Sequence, residues 1–168
     1  MRGKLKNNRE KGQSLVEMTI AMSLMMVGLL GIFAVLAQSI GLNRVAANQY
    51  VAANLAAEGI EVTKNILDAN AINSRPWNQG LNVNGDFGVQ YNSTALDASK
   101  ATSYLRLDSS TGRYSYDSGP ETGFVRTISI TNISPSEIKV VSTVSWKDRG
   151  GIDLHVDAED HFRNWRNL

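Results

Sequence analysis

From Met18 to Asn43 the chain carries no charged side chain. Its densest apolar part, Met18–Ala37, is 20 residues long. As a helix that part rises about 30 Å, the thickness of a bilayer's hydrocarbon core. The pattern predicts one long helix from Ser14 to about Asp68, in two regimes. Ser14–Ile40 is apolar on every face. Leu42–Asp68 is amphipathic: Val51, Leu55, Val62 and Ile66 recur at three-to-four-residue steps beside Ala52, Ala53, Ala56 and Ala57. Such a stripe needs a partner surface, with Glu58, Glu61 and Lys64 expected away from it in solvent.

Residues 69–86 are rich in Asn, Gly, Ser and Pro, which is loop chemistry. Arg75-Pro76-Trp77 is a candidate anchor or contact patch, with the indole expected to pack back on the domain. From Phe87 the period changes to two. Phe87–Tyr91, Tyr104–Leu107 and Arg113–Tyr116 are short candidate strands, the last two flanking a hairpin turn at Asp108–Gly112. Phe124, Ile128 and Ile130 share one face of Phe124–Ile130. Ile138, Val140, Val144 and Trp146 share one face of the next strand, with Lys139, Thr143, Ser145 and Lys147 opposite. After a turn at Lys147–Gly151, Ile152, Leu154 and Val156 alternate with Asp153, His155 and Asp157. Alternation of this kind reads as antiparallel strands with one dry face. The expected fold is α+β: a ladle whose protruding helix lays its outer half on an antiparallel sheet.

Charge then orients the molecule. Residues 1–12 hold five basic side chains against one acid, a balance of +4, and the remaining residues hold 12 basic and 15 acidic, a balance of −3. A basic leader before an apolar span places the N-terminus in the cytoplasm and the body outside. The apolar run is longer than that of an ordinary cleaved signal peptide, and no Ala-x-Ala site follows it. It also carries Glu17 at its edge. A charge at bilayer depth costs about 2.5–3.5 kcal/mol on insertion scales, so an acid there marks a functional site that needs a partner.

Gly12-Gln13-Ser14-Leu15-Val16-Glu17, following the basic leader, resembles the class III signal of type IV pilins and type II secretion pseudopilins. The resemblance implies a pilin-like fold and cleavage by a prepilin peptidase after Gly12. Gln13 would then be the first mature residue and the N-methylation site, although Phe is commonest there in the family. Glu17 would be the glutamate at mature position five. Cleavage would create an α-amine four residues before Glu17. One subunit's amine can meet a neighbour's carboxylate, and breaking a buried pair of that kind costs about 3–5 kcal/mol. Cyclisation of Gln13 to pyroglutamate would remove that amine's charge, whereas methylation would keep it. Leu55–Glu61 is similar to the helix end of PilV-type minor pilins, and the strand order resembles minor pseudopilin domains more loosely. The implied organisation is a leader at 1–12, a transmembrane and assembly helix at 13–40, an amphipathic helix at 41–68, a loop at 69–86 and a sheet domain at 87–168.

Enzymatic chemistry is not visible in the sequence. His155 and His161 lack the convergent spacing of a zinc site. Asp153, Asp157, Glu159 and Asp160 are of calcium-ligand type, but their alternation reads as a solvated strand face. No nucleophile elbow or phosphate-binding glycine loop occurs, and no cofactor is expected. Asn92-Ser93-Thr94 and Asn132-Ile133-Ser134 match the glycosylation sequon, a frequent chance pattern. Glu58 and Glu61 read as a solvated helical pair. There are no cysteines to staple the fold.

The expected function is that of a minor structural subunit of a type IV pilus or pseudopilus. Its partners would be the prepilin peptidase, other pilin or pseudopilin subunits and the inner-membrane assembly platform, with membrane lipid around the helix before assembly. A tip subunit that binds DNA or a surface is one alternative. A basic patch would mark a nucleic-acid partner, and the body's −3 balance argues against it. A signal-anchored extracytoplasmic binding protein or enzyme is the other alternative, and it would need neither Gly12 nor Glu17.

Overall fold

The computed structural model describes residues 9–148 and 150–165, with side chains from Gln13 onward. The first eight residues of the expected leader lie outside the described residues. One helix, α1, runs from Arg9 to Ile72. The chain divides into two units, Met1–Val45 and Ala46–Leu168.

In the first unit, α1 carries no charge from Met18 to Asn43. Its most apolar 18-residue window has a mean hydropathy of 2.5 and none of it is buried. Leu24, Val27, Leu30 and Phe33 are among the exposed side chains. A helix with no polar face is suited to a lipid or protein environment rather than to water. It is long and apolar enough to cross a membrane. Thr19 and Ser23 fit that setting, because each hydroxyl donates to a carbonyl of its own helix, Val16 O at 2.8 Å and Thr19 O at 2.7 Å. Hydroxyls satisfied this way present no orphan polarity to lipid.

In the second unit, the rest of α1 packs on an antiparallel sheet. The strands are β1 (Gly85–Phe87), β2 (Tyr104–Asp108), β3 (Arg113–Ser115), β4 (Glu121–Ser134), β5 (Glu137–Lys147) and β6 (Asp153–Arg163). Their order is β3-β2-β4-β5-β6. One edge of β4 is shared: β2 pairs with Val125 and Glu121, and β1 with Ile128–Ile130. The other edge pairs with β5 along its length, and β5 pairs with β6. This is the α+β, pilin-like arrangement expected, a long N-terminal apolar helix packed on a C-terminal antiparallel sheet.

Several boundaries move. Residues 69–72 are helical rather than loop. The helix ends in a Schellman motif, in which Ser74 N–H donates to Ala71 O and Arg75 N–H donates to Asn70 O, with Ser74 at φ 53°. Buried Asn70 donates from its amide to Gln79 O at 2.8 Å, tying down the turn that leaves the helix. Asn70 and Asn73 therefore serve the helix end, although their composition reads as loop. The first short strand is Gly85–Phe87, not Phe87–Tyr91. Gly88 instead makes an isolated bridge to Asp97. Ile152 is exposed in the turn before β6 rather than on its dry face.

Two apolar clusters fill the space between helix and sheet. One holds Ala52, Leu55, Ala56, Leu105, Phe124, Val144 and Trp146. The other holds Val62, Ile66, Leu67, Leu81, Val89, Ile128, Ile130, Ile138 and Val140, with Trp77 half-buried against it. The indole thus packs back on the domain as expected.

Candidate assembly site

The expected assembly residues stand at the start of α1. Gly12, Gln13 and Glu17 are all helical, and Gln13 and Glu17 are exposed. Four residues separate Gln13 from Glu17, so they lie one turn apart on the same helix face. Among the described residues no hydrogen bond or ion pair reaches the Glu17 carboxylate. In this geometry an acid sits at the edge of an apolar surface with no counter-charge among the described residues. That is the arrangement a group needs if its partner comes from another chain.

A second polar feature lies inside the sheet unit, and the hydrophobic pattern alone did not reveal it. Arg126 follows the inward alternation of β4 between Phe124 and Ile128 and is 0% exposed. Its Nη1 donates to Leu55 O at 3.0 Å and its Nη2 to Val89 O at 2.6 Å. Nη1 also lies 3.6 Å from Glu58 Oε2. The Glu58 side chain is 32% exposed, so the acid reaches into the core from its rim. This corrects the reading of Glu58 as a solvated partner of Glu61.

The pattern around the cation explains why it fits. Opposite it, Gly59 leaves no room for a side chain between helix and sheet. A Cβ there would collide with Ser142 Oγ and meet Ile128 Cδ1 at 2.8 Å and Arg126 Cδ at 3.2 Å. Ser142, the small polar residue on the inward face of β5, pairs in register with Ile128, while Arg126 pairs with Val144. Thr63 is buried and donates to Gly59 O at 2.8 Å. A polar layer of Glu58, Gly59, Arg126 and Ser142 therefore separates the two apolar clusters. Glu58 Oε1, Arg126 Nε and Ser142 Oγ have no hydrogen-bond partner among the described residues. A buried pair left incompletely satisfied is a costly way to gain stability. It is an effective way to fix register, because a one-residue slip of β4 would turn Arg126 to the outer face. The signal available in sequence was the Arg at an inward position of an otherwise apolar alternation.

On the outer face of β5 and β6, His161 lies between two acids, with Nδ1 2.8 Å from Glu137 Oε1 and Nε2 3.3 Å from Glu159 Oε1. Arg163 also reaches Glu137, at 3.2 Å. The hydrogen bond to Glu137 raises the His161 pKa above its ordinary 6.5, and the same bond lowers that of Glu137 below 4.5. His155 lies 3.9 Å from Asp157 instead, so the two histidines do not converge. The aromatic residues pack across strands: Tyr114 meets Phe124 edge-on at 6.4 Å, and Phe124 meets Trp146 at 5.9 Å.

Residues 7–33 match the family model of the prokaryotic N-terminal methylation motif. The matched span contains Gly12, Gln13 and Glu17 and extends well into the apolar helix. It supports a type IV pilin-like protein, and the unburied apolar helix is long enough to anchor it in a membrane. No curated protein and no solved structure matches the chain.

Proposed function

We propose that the chain is a minor structural subunit of a type IV pilus or pseudopilus. A prepilin peptidase removes the leader after Gly12, and the new Gln13 amine is methylated. The subunit waits in the inner membrane with its sheet unit on the outer side. The assembly platform then moves it into a filament through the apolar helix. There its Glu17 meets the terminal amine of a neighbouring subunit.

One observation carries this reading. A glycine after a basic leader, an acid at a five-residue offset and an unburied apolar helix coincide inside the methylation-motif match. The minor role and the PilV-type kinship draw support from Leu55–Glu61, the segment that supplies Glu58 and Gly59 to the buried layer. Gly12→Ala tests the processing step. The expected result is a chain that stays at precursor length on a gel in cells that contain the peptidase. Normal shortening of that variant would contradict the cleavage site.

A further inference from the structure

The last turns of α1, the chain leaving it and the end of β6 enclose a groove of about 280 Å³. Its floor is apolar. Leu67 is buried, and Trp77 and Phe162 pack half-buried against the core cluster beneath. Lys64 and Arg75 line it, and neither side chain has an ion pair or hydrogen bond among the described residues. One acid, Asp68, accompanies them and is likewise unpaired. Arg163 and His161 also reach the groove, but Glu137 and Glu159 already hold them. Trp165 lines it too, with its side chain 77% exposed.

These features select a ligand chemistry. The apolar floor disfavours a small hydrated ion. Two uncommitted cations against one acid favour a ligand that carries carboxylate, on a body whose own balance is negative. A polyanion fits poorly, because Asp68 lies within the groove, Glu137 and Glu159 flank it, and phosphate tracking requires a row of cations. We propose that this groove docks an acidic, apolar peptide segment of a neighbouring filament subunit. The segment's carboxylate sits at Lys64 and Arg75, and an aliphatic or aromatic side chain lies on Trp77 and Phe162. Guanidinium–carboxylate contacts are strong and directional. A buried aromatic platform is the usual anchor of a protein interface. The choice of partner rests on the filament reading, whereas the chemistry of the groove does not.

The test titrates the full-length chain in detergent with acetylated, amidated pentapeptides. Each carries one or two Asp or Glu residues beside a central Leu or Phe. Tryptophan fluorescence reports binding. Saturable binding is expected, with Asn and Gln versions of the peptides about tenfold weaker or worse. Arg75→Gln should weaken the acidic peptides by about tenfold without moving the thermal midpoint. The proposal is overturned if no acidic peptide saturates, if the amide versions bind equally well, or if a single-stranded DNA oligonucleotide of equal charge binds more tightly. Filament entry of the same variants is scored separately. Peptide binding with no filament entry even of the wild type contradicts the filament reading and leaves the groove standing. Filament entry without peptide binding contradicts the groove alone.

Discussion

The two parts of α1 treat charge in opposite ways. In residues 18–43 the helix carries no charge, and Glu17 at its edge has no hydrogen bond or ion pair among the described residues. In residues 46–72 the helix is apolar on one stripe, and the charge beside that stripe, Glu58, is met within the chain by Arg126. The polar hydroxyls follow the same division. Thr19 and Ser23 satisfy themselves on an exposed helix, whereas Thr63 does so inside a core. A charge matched within the chain fixes how that chain folds. A charge left unmatched on an apolar surface is available to fix how chains associate. The comparison separates a residue that serves the fold from one proposed to serve assembly along a single helix.

The largest expected effect tests the internal half of that contrast. Arg126→Ala removes the guanidinium donors to Leu55 O and Val89 O, leaves a half-buried carboxylate without its cation and opens space between the two clusters. It should destabilise the sheet unit by about 3–5 kcal/mol, seen as a lower midpoint in chemical denaturation. The double variant Glu58→Leu/Arg126→Met should recover most of that loss, because apolar packing replaces a buried pair at little cost. If Arg126→Ala were as stable as wild type, the layer would be no constraint on the fold.

The next effect compares two glycines on the same helix. Gly59→Ala forces a methyl into Ser142 and Ile128 and should cost about 1–3 kcal/mol. Gly28→Ala meets nothing within 4 Å and should leave the unfolding midpoint of the sheet unit where it is. Glu17→Val should also leave that midpoint unmoved, unlike Arg126→Ala. It should lower incorporation into filaments formed beside wild-type subunits. Equal incorporation would remove the pairing argument.

The smallest effect is electrostatic and exposed. The folded-state pKa of His161 is raised, so its contribution is full below about pH 6.5 and fades as pH rises through the folded value. That of Glu137 is lowered, so its contribution is full above about pH 4.5 and fades as pH falls through the folded value. Their shared stabilisation is greatest between those limits. His161→Gln should lower stability slightly between those limits and remove the decline above them, with the His161 ring resonances of the wild type titrating above 6.5. A ring that titrates at or below 6.5 would contradict the contact with Glu137.

Much of the fold was legible because its periods are clean. Leu55, Val62 and Ile66 face the sheet, and Ile138, Val140, Val144 and Trp146 face the helix, as their spacing indicated. The hairpin at Asp108–Gly112 was read from its turn residues. What the pattern hid was local polarity serving a tertiary purpose. Asn70 looked like loop and is instead a buried brace for the helix exit. Arg126 interrupted the apolar alternation of β4, but its partners are sequence-distant carbonyls of Leu55 and Val89, which no local window contains. Glu58 looked solvated because an i, i+3 acid pair normally is, and only the sheet's cation turns it inward. The proposed assembly residues rest on a different kind of signal: a glycine, an acid and an apolar run that coincide in a short span, with no tertiary contact involved.

The central claim is that a newly exposed amine answers the unmatched acid on the helix. Intact-mass and N-terminal peptide analysis of the native protein, recovered from membranes and from sheared filaments, tests it most directly. The account predicts a chain that begins at Gln13 with a methylated, still-charged amine. A chain that begins at Met1, begins beyond the apolar helix, or carries pyroglutamate at Gln13 would contradict it.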